Sequence, residues 1–345
     1  DNEMSIDKNV GGLSKHLSKL RISSGYISAK KTTESFLRKL GFVGRGLIKM
    51  ILAIKDFFRF LLYRKTPSMF DDLGLNYYGP IDGHDMGALI KAFDGAKDIN
   101  GPVIIHVLTK KGKGYKPAED NPSDYHGVGS FDLEKGVVSK KNSYTTVFSD
   151  AVTELASRNS KIVAVSAAMT LGTGLDSFQL KFPSRFFDCG IAEEHCVTMA
   201  SGMAVSGFVP VVAIYSTFIQ RSVDQIIEDI ALSNRHVIMV FDRSGAVPND
   251  GETHQGIFDI PLLRPIPNLS ILSVVSEQDL NVSMDWAVKE ADGPVAIRWP
   301  KMSCPSETES FAKFITGDIS ARIMILASLV NVFLYVMLLK KRNNY

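Results

Sequence analysis

The chain has 345 residues, 45% of them hydrophobic and 22% charged, with a formal net charge of +2. That size supports two ordinary globular domains with real cores and excludes wholesale disorder, while the small net charge excludes a broad electrostatic footprint for nucleic acid. Three cysteines, Cys189, Cys196 and Cys304, lack CxxC spacing and fit a reducing compartment, so a cytoplasmic location is expected.

The opening Asp1-Asn2-Glu3-Met4-Ser5-Ile6 has neither the basic start nor the apolar run of a signal peptide and reads as the middle of a longer chain. Residues 36–63 mix Leu, Ile and Phe with Lys and Arg at helical spacing, as in Leu47-Ile48-Lys49-Met50-Ile51-Leu52. The pattern is an amphipathic basic helix. Gly41, Gly44 and Gly46 break its start, which favours a segment covering a soluble core over one binding a membrane surface. After Pro67, a strand is predicted over residues 73–78, a helix over 86–97 and a buried strand over 103–108, together making βα units. Residues 112–138, rich in Gly, Pro and Asp, read as loop and linker.

From Tyr144 strands and helices alternate regularly, with strands predicted at 162–165, 186–191, 209–215, 236–242, 271–275 and 295–299. Each is a continuous apolar run rather than an alternating one, the mark of parallel strands covered on both faces. The fold class is α/β with doubly wound parallel sheets. Three divisions are expected: 1–141, 142–305 and a shortened domain over 306–345. In the last, the apolar run Ile323 to Leu339 precedes Lys340-Lys341-Arg342 and superficially resembles a membrane span with positive flanks. Asn331 and Tyr335 interrupt it, so a buried strand over about 322–327 leading into a helix is the preferred reading.

Ligands of such sheets bind beyond the carboxyl ends of the strands. The residues there are Ala192-Glu193-Glu194-His195, Tyr215-Ser216-Thr217-Phe218, then Arg243 leading to Asp250-Gly251-Glu252-Thr253-His254-Gln255, and Arg298. Arg243 and Arg298 each end an apolar strand, which puts two guanidinium groups on one sheet edge and predicts a clamp for a phosphate or carboxylate. Lys111 follows a strand in a glycine-containing loop. The spacing there is not that of a nucleotide-binding GxxxxGK[ST] loop, which argues against an ATPase.

Three strings carry a family likeness: Ile191-Ala192-Glu193-Glu194-His195, the run from Ala213 through Tyr215-Ser216-Thr217-Phe218-Ile219-Gln220-Arg221 to Gln225, and Asp250 to Gly256. They resemble the pyrimidine-binding domain of the 1-deoxy-D-xylulose-5-phosphate synthase family, transketolase-like enzymes with a thiamine-diphosphate-binding fold. Tyr77 to Asp85 and Thr109 to Tyr115 look like that family's first domain. The resemblance covers most of residues 1–300 and implies condensation of pyruvate with D-glyceraldehyde 3-phosphate, with thiamine diphosphate and Mg²⁺ as cofactors, in a homodimer needing no nucleic acid or membrane.

Carried over residue by residue, Glu193 matches the glutamate that hydrogen-bonds the aminopyrimidine nitrogen, where a carboxyl group sharing a proton with the ring favours the tautomer that activates the cofactor. The choice of Glu193 over Glu194 rests on the resemblance. Phe218 matches the stacking ring, and Arg221, Ile6 and Lys111 match other positions around the cofactor. Tyr215, Arg243, Asp250 and Arg298 match positions that hold the phosphorylated aldehyde, and His254 and His126 match histidines that handle protons. Asn2 and Met4 match two ligands of the metal, while the Gly-Asp-Gly segment that supplies the rest is not in this sequence. Weak cofactor binding by this chain alone follows. A transketolase or a pyruvate-dehydrogenase-type enzyme shares the pyrimidine-binding domain, but Tyr215 to Arg221 argues against both. A non-catalytic remnant of the synthase is the remaining alternative.

Overall fold

A computed structural model describes residues 1–2, 4, 69–137, 142–248 and 250–306. The basic helix over 36–63, the apolar run 323–339 and Ile6 lie outside the described residues. The chain divides into two compact units, with the main boundary between Pro122 and Ser123.

The first unit carries a parallel pair, β1 (Asn76–Asp82) and β2 (Val103–Leu108), joined through α1 (Met86–Lys97). Asp85 caps α1 by accepting the Ala88 N–H at 3.0 Å, and Lys97 sits in the last turn, where a cation opposes the helix dipole. β1 starts later than predicted, because Leu73 folds back on the Phe70 carbonyl, and it runs on to Asp82. A register shift between Tyr78 and Ile81 takes Pro80, which has no N–H to donate, out of the ladder. The predicted loop after β2 contains a short helix, Lys116–Asp120. Glu119 organises it by accepting from Lys110 Nζ at 2.5 Å and from the Gly114 N–H at 2.9 Å. These donors pull its carboxyl down to about 2.

The second unit is a six-stranded, wholly parallel sheet in the order β4-β3-β5-β6-β8-β7. The strands are β3 (Ile162–Ser166), β4 (Phe186–Asp188), β5 (Val209–Tyr215), β6 (Ile238–Asp242), β7 (Ser270–Ser273) and β8 (Val295–Arg298). Flanking them are α2 (Tyr144–Arg158), α3 (Glu193–Val205) and α4 (Glu277–Lys289). α2 is started by a capping box in which Ser143 and Thr146 satisfy each other's backbone N–H. Several strands are shorter than predicted. β4 stops at Asp188 because its carboxylate accepts the N–H groups of Ala168 and Gly190, which turns the chain out of the sheet. β6 waits until Ile238 because Val237 N–H closes a tight turn on Arg235.

Alternation along the strands divides the core into two layers. Val211, Ala213, Ile238, Val240, Val295 and Ile297 pack with Phe148 of α2 and Met284 of α4. Val212, Ile214, Met239, Phe241 and Ala296 face the other way, onto Cys196, Val197 and Ala200 of α3 and onto Leu263. Both faces are buried, as the apolar runs require. Full burial of each large side chain, such as Phe148 or Phe241, is worth about 1.5–3 kcal/mol. All three cysteines carry free thiols.

The strand order also fixes where a ligand can enter. The chain leaves β3 toward β4 on one side and leaves β5 toward β6 on the other. Between the carboxyl ends of β3 and β5 the two connections part, opening the crevice that open α/β sheets use for binding.

Candidate active site

Glu193 is the first residue of α3, where a carboxylate gains from the helix dipole. It is only 2% exposed, whereas Glu194 and His195 beside it are exposed. Burial thus separates the two adjacent carboxylates. One helical residue, about 100° of rotation, turns Glu193 inward and Glu194 to water. Glu193 Oε1 accepts from Arg221 Nη1 at 2.5 Å, and the arginine side chain stays 47% exposed.

Arg221 comes from the segment after β5, whose pitch changes repeatedly: α-helical over Ser216–Ile219, 3₁₀ over Gln220–Ser222 and π-helical over Ile226–Ala231. Phe218 and Arg221 are three residues apart and share a face, with the guanidinium 5.1 Å from the ring centroid. Phe218 in turn stacks on Tyr215 at 5.9 Å and meets His254 edge-on at 5.4 Å. Tyr215, the last residue of β5, is also covered by Arg243, 3.8 Å from the ring centroid. One continuous cluster therefore runs Glu193, Arg221, Phe218, Tyr215, Arg243, with His254 against Phe218.

Arg243 has a left-handed backbone, φ 60°, which costs a non-glycine residue about 1–2 kcal/mol. Several contacts hold it there. Nη1 donates to the Gly172 carbonyl at 2.9 Å and lies 3.5 Å from Asp242, and Nε lies 3.8 Å from Asp250, itself paired with Lys301 at 2.8 Å. The Arg243 carbonyl also rests on Gly256, where a Cβ would stand 2.2 Å from it and 2.6 Å from Ser216 Oγ. The Gly245–Gly256 bridge, 2.6 and 2.9 Å, ties the two segments together. Among the described residues only Nη1 of this guanidinium makes a hydrogen bond, so Nη2 and Nε are the donors available to a ligand.

Arg298 differs from the expectation. It does end a strand adjacent to β6, but its side chain is 4% exposed and faces the α3 layer, as the parity of Ala296 demands. Nε and Nη2 donate to Asp259 at 2.8 and 3.3 Å, and Nη1 donates to Ser273 at 3.1 Å. All three nitrogens are engaged inside the protein. Arg298 thus has internal partners at each of its three nitrogens, whereas Arg243 is the more exposed of the two strand-ending arginines.

Asp242, Asp259 and Gly172 belong to this region and were not singled out by sequence. Asp242 ends β6 on the α2 face, accepts from Thr145 Oγ1 at 2.6 Å, and burial pushes its carboxyl up despite the neighbouring Arg243. Its signal was legible as a charge closing the apolar run before Arg243. His126 lies on an exposed turn, its N–H donating to Ser123.

In the first unit Lys111 follows β2, half-buried. Asn2 Oδ1 accepts the Met4 N–H at 3.0 Å, bringing that amide oxygen beside the Met4 backbone. Asp1 is fixed by Thr109 at 2.9 Å and by His106 Nε2 at 2.9 Å, and His106 Nδ1 meets Tyr77 Oη at 2.5 Å. Asn2 and Met4 offer two neutral oxygens of the roughly six that Mg²⁺ takes. Among the described residues no group of three or more His, Cys, Asp or Glu is placed to hold a metal.

Residues 140–306 match the pyrimidine-binding domain of transketolase, and residues 1–109 match the family model described as 1-deoxy-D-xylulose-5-phosphate synthase. The chain is 47% identical over 305 residues to the 1-deoxy-D-xylulose-5-phosphate synthase of Natranaerobius thermophilus, covering 87% of this chain and 48% of that protein. It is 49% identical over 304 residues to that of Clostridium beijerinckii, with the same coverage of 87% and 48%. The chain thus spans about half the length of the curated relatives it matches. Among solved structures, transketolase from Campylobacter jejuni aligns with a TM-score of 0.46 and 16% identity, over 72% of this chain and 49% of that one.

Proposed function

We propose, because the chain belongs to the 1-deoxy-D-xylulose-5-phosphate synthase family, that it carries the ring-activating and aldehyde-binding part of a thiamine-diphosphate-dependent transferase. The reaction joins pyruvate and D-glyceraldehyde 3-phosphate into 1-deoxy-D-xylulose 5-phosphate with loss of CO₂, the entry to isoprenoid and thiamine precursors. The observation that carries the reading is the continuous cluster from buried Glu193 to Arg243 at the switch point of the sheet.

When bound, the cofactor supplies a nucleophilic carbon and an electron sink. The chain's own residues do the rest. Glu193 would share a proton with the pyrimidine nitrogen of a bound cofactor, and Arg221 fixes the orientation of its carboxyl through Oε1. Phe218 presents its ring to the pyrimidine. Arg243 Nη2 and Tyr215 receive the substrate phosphate and hydroxyls with Asp250, while His254, against Phe218, and His126 exchange protons with the carbonyls that react. Arg298 is the second proposed arginine of the aldehyde-phosphate site, and it also holds Asp259 and with it the end of the segment that carries His254. Asn2 and Met4 are the proposed Mg²⁺ ligands, with Lys111 and Ile6 near the cofactor. Division into domains at 1–141, 142–305 and 306–345, a homodimer and a cytoplasmic location complete the proposal. Among the described residues no helix is long and apolar enough to cross a membrane.

The test compares Glu193→Gln with Glu194→Gln by CO₂ release from pyruvate with and without glyceraldehyde 3-phosphate. Glu193→Gln should lose about 10²-fold or more, the scale of a proton-handling group, and Glu194→Gln should stay within about threefold of the parent. Equal effects, or a release that ignores the aldehyde phosphate, would defeat the assignment.

A further inference from the structure

We infer that Gly172 is a positioning residue for the aldehyde-phosphate site, setting the aim of both Tyr215 and Arg243. The inference rests on the substrate reading above and adds a residue to it.

Gly172 touches the two side chains in different ways. A Cβ built on it would stand 1.6 Å from Tyr215 Oη, 2.8 Å from Cζ and 3.3 Å from Cε1, distances that no side chain other than hydrogen allows. Its carbonyl meanwhile accepts from Arg243 Nη1 at 2.9 Å. One residue is thus a steric stop for the tyrosine and a polar anchor for the arginine.

Neither side can yield independently. Tyr215 is 8% exposed and packed against both Arg243 and Phe218, so swinging its hydroxyl away displaces the guanidinium over its ring. Gly172 cannot retreat either. It sits in the turn Thr170–Thr173, where Thr173 N–H and Oγ1 both donate to the Met169 carbonyl at 2.9 and 2.8 Å. Behind the turn, Gly174 packs so closely that a Cβ there would lie 2.5 Å from the Thr145 carbonyl. The turn follows β3 and Tyr215 ends β5, so the contact spans the mouth of the crevice. A methyl group at 172 tilts Tyr215, pulls Arg243 off its carbonyl anchor and turns Nη2 away from the position a phosphate takes. Glu193 lies at the far end of the cluster, reached only through Phe218 and Arg221, so the cofactor side is affected less than the aldehyde-phosphate side.

Calorimetric titration of the full chain, supplied with thiamine diphosphate and Mg²⁺, with D-glyceraldehyde 3-phosphate tests this in four proteins: parent, Gly172→Ala, Tyr215→Phe and the double variant. Gly172→Ala should weaken the aldehyde phosphate by about tenfold or more, a loss of one directed contact, while thiamine diphosphate affinity stays within about threefold. A merely structural glycine would move both ligands together. The double variant should bind better than Gly172→Ala alone, because removing the hydroxyl removes the 1.6 Å collision and leaves only the lesser 2.8 Å approach of Cζ to be relieved. If Gly172→Ala does not fold, the comparison of the double variant with Tyr215→Phe decides, equal affinities supporting the contact and a further tenfold loss overturning it. A parent that shows no saturable aldehyde-phosphate binding removes the substrate reading and the inference with it. Parent binding with an unaffected Gly172→Ala, or a soluble Gly172→Ala that the second substitution does not improve, overturns the inference alone.

Discussion

Replacing Asp259 with alanine leaves the Arg298 guanidinium buried with only Ser273 to accept from it, since two of its three hydrogen bonds end on Asp259. The pair is 5% and 2% exposed at the side chains, so water offers neither screening nor a substitute partner. Losing one member of such a pair costs about 3–5 kcal/mol. At roughly 2–4 °C per kcal/mol for a domain of this size, the Tm should fall by about 6–20 °C. Urea unfolding followed by tryptophan fluorescence reads this unit directly, because both tryptophans, Trp286 and Trp299, lie in it and Trp299 adjoins Arg298. The double variant Asp259→Leu/Arg298→Met removes both charges and should recover most of the loss. A cost below about 1 kcal/mol for Asp259→Ala, with weakened binding of the aldehyde phosphate instead, would show that Arg298 serves the ligand and refute its placement as an internal tie.

Two other outcomes follow from the packing and charges. Gly256→Ala places a methyl group against the Arg243 carbonyl and Ser216 Oγ and should cost about 1–3 kcal/mol by chemical unfolding, more than the same change at Gly251, where the space is open. Glu119 has its folded carboxyl lowered from the ordinary 4.5 to about 2 by Lys110 and Gly114. Its stabilising contribution is therefore complete above about pH 4.5 and disappears as pH falls through about 2. The Gly114 amide resonance should track that titration, and Glu119→Gln should abolish its shift between about pH 5 and pH 2.

Much of the architecture was legible because burial on both faces leaves a plain sequence signal. Val209 to Tyr215 and Val103 to Leu108 appear at the predicted bounds, although the second is only half-buried and contains His106, whose ring is satisfied by Tyr77 and Asp1. The ends of the other strands depended on side chains reaching back to the backbone, as Asp188 does for Ala168 and Gly190, and no periodicity records such bonds. The site shows the same divide. Glu193, Phe218 and Arg243 follow strands at the crevice, where the strand-end rule looks for ligand-facing residues, but which carboxylate turned inward needed the helix phase of α3. The burial of Arg298 and its bonds to Asp259 were not legible from its place at the end of a strand. Counting alternate residues back to Ala296 would have aimed it at the inner layer instead, and the same count from Val240 points Asp242 at α2. Gly172 gave no signal, since its role depends on the distant Tyr215 filling the space beside it.

The strand that completes the sheet is the last to be made. β8 lies between β6 and β7, so a nascent chain that has emerged only as far as β7 has β6 paired on its β5 side alone and β7 without its partner strand. Asp259 is then already present without its counterion, because Arg298 ends the strand still to come. During synthesis this unit therefore waits, with apolar edges open to chaperones or to other chains, until Val295–Arg298 slides between β6 and β7 and closes the sheet and the ion pair in one step.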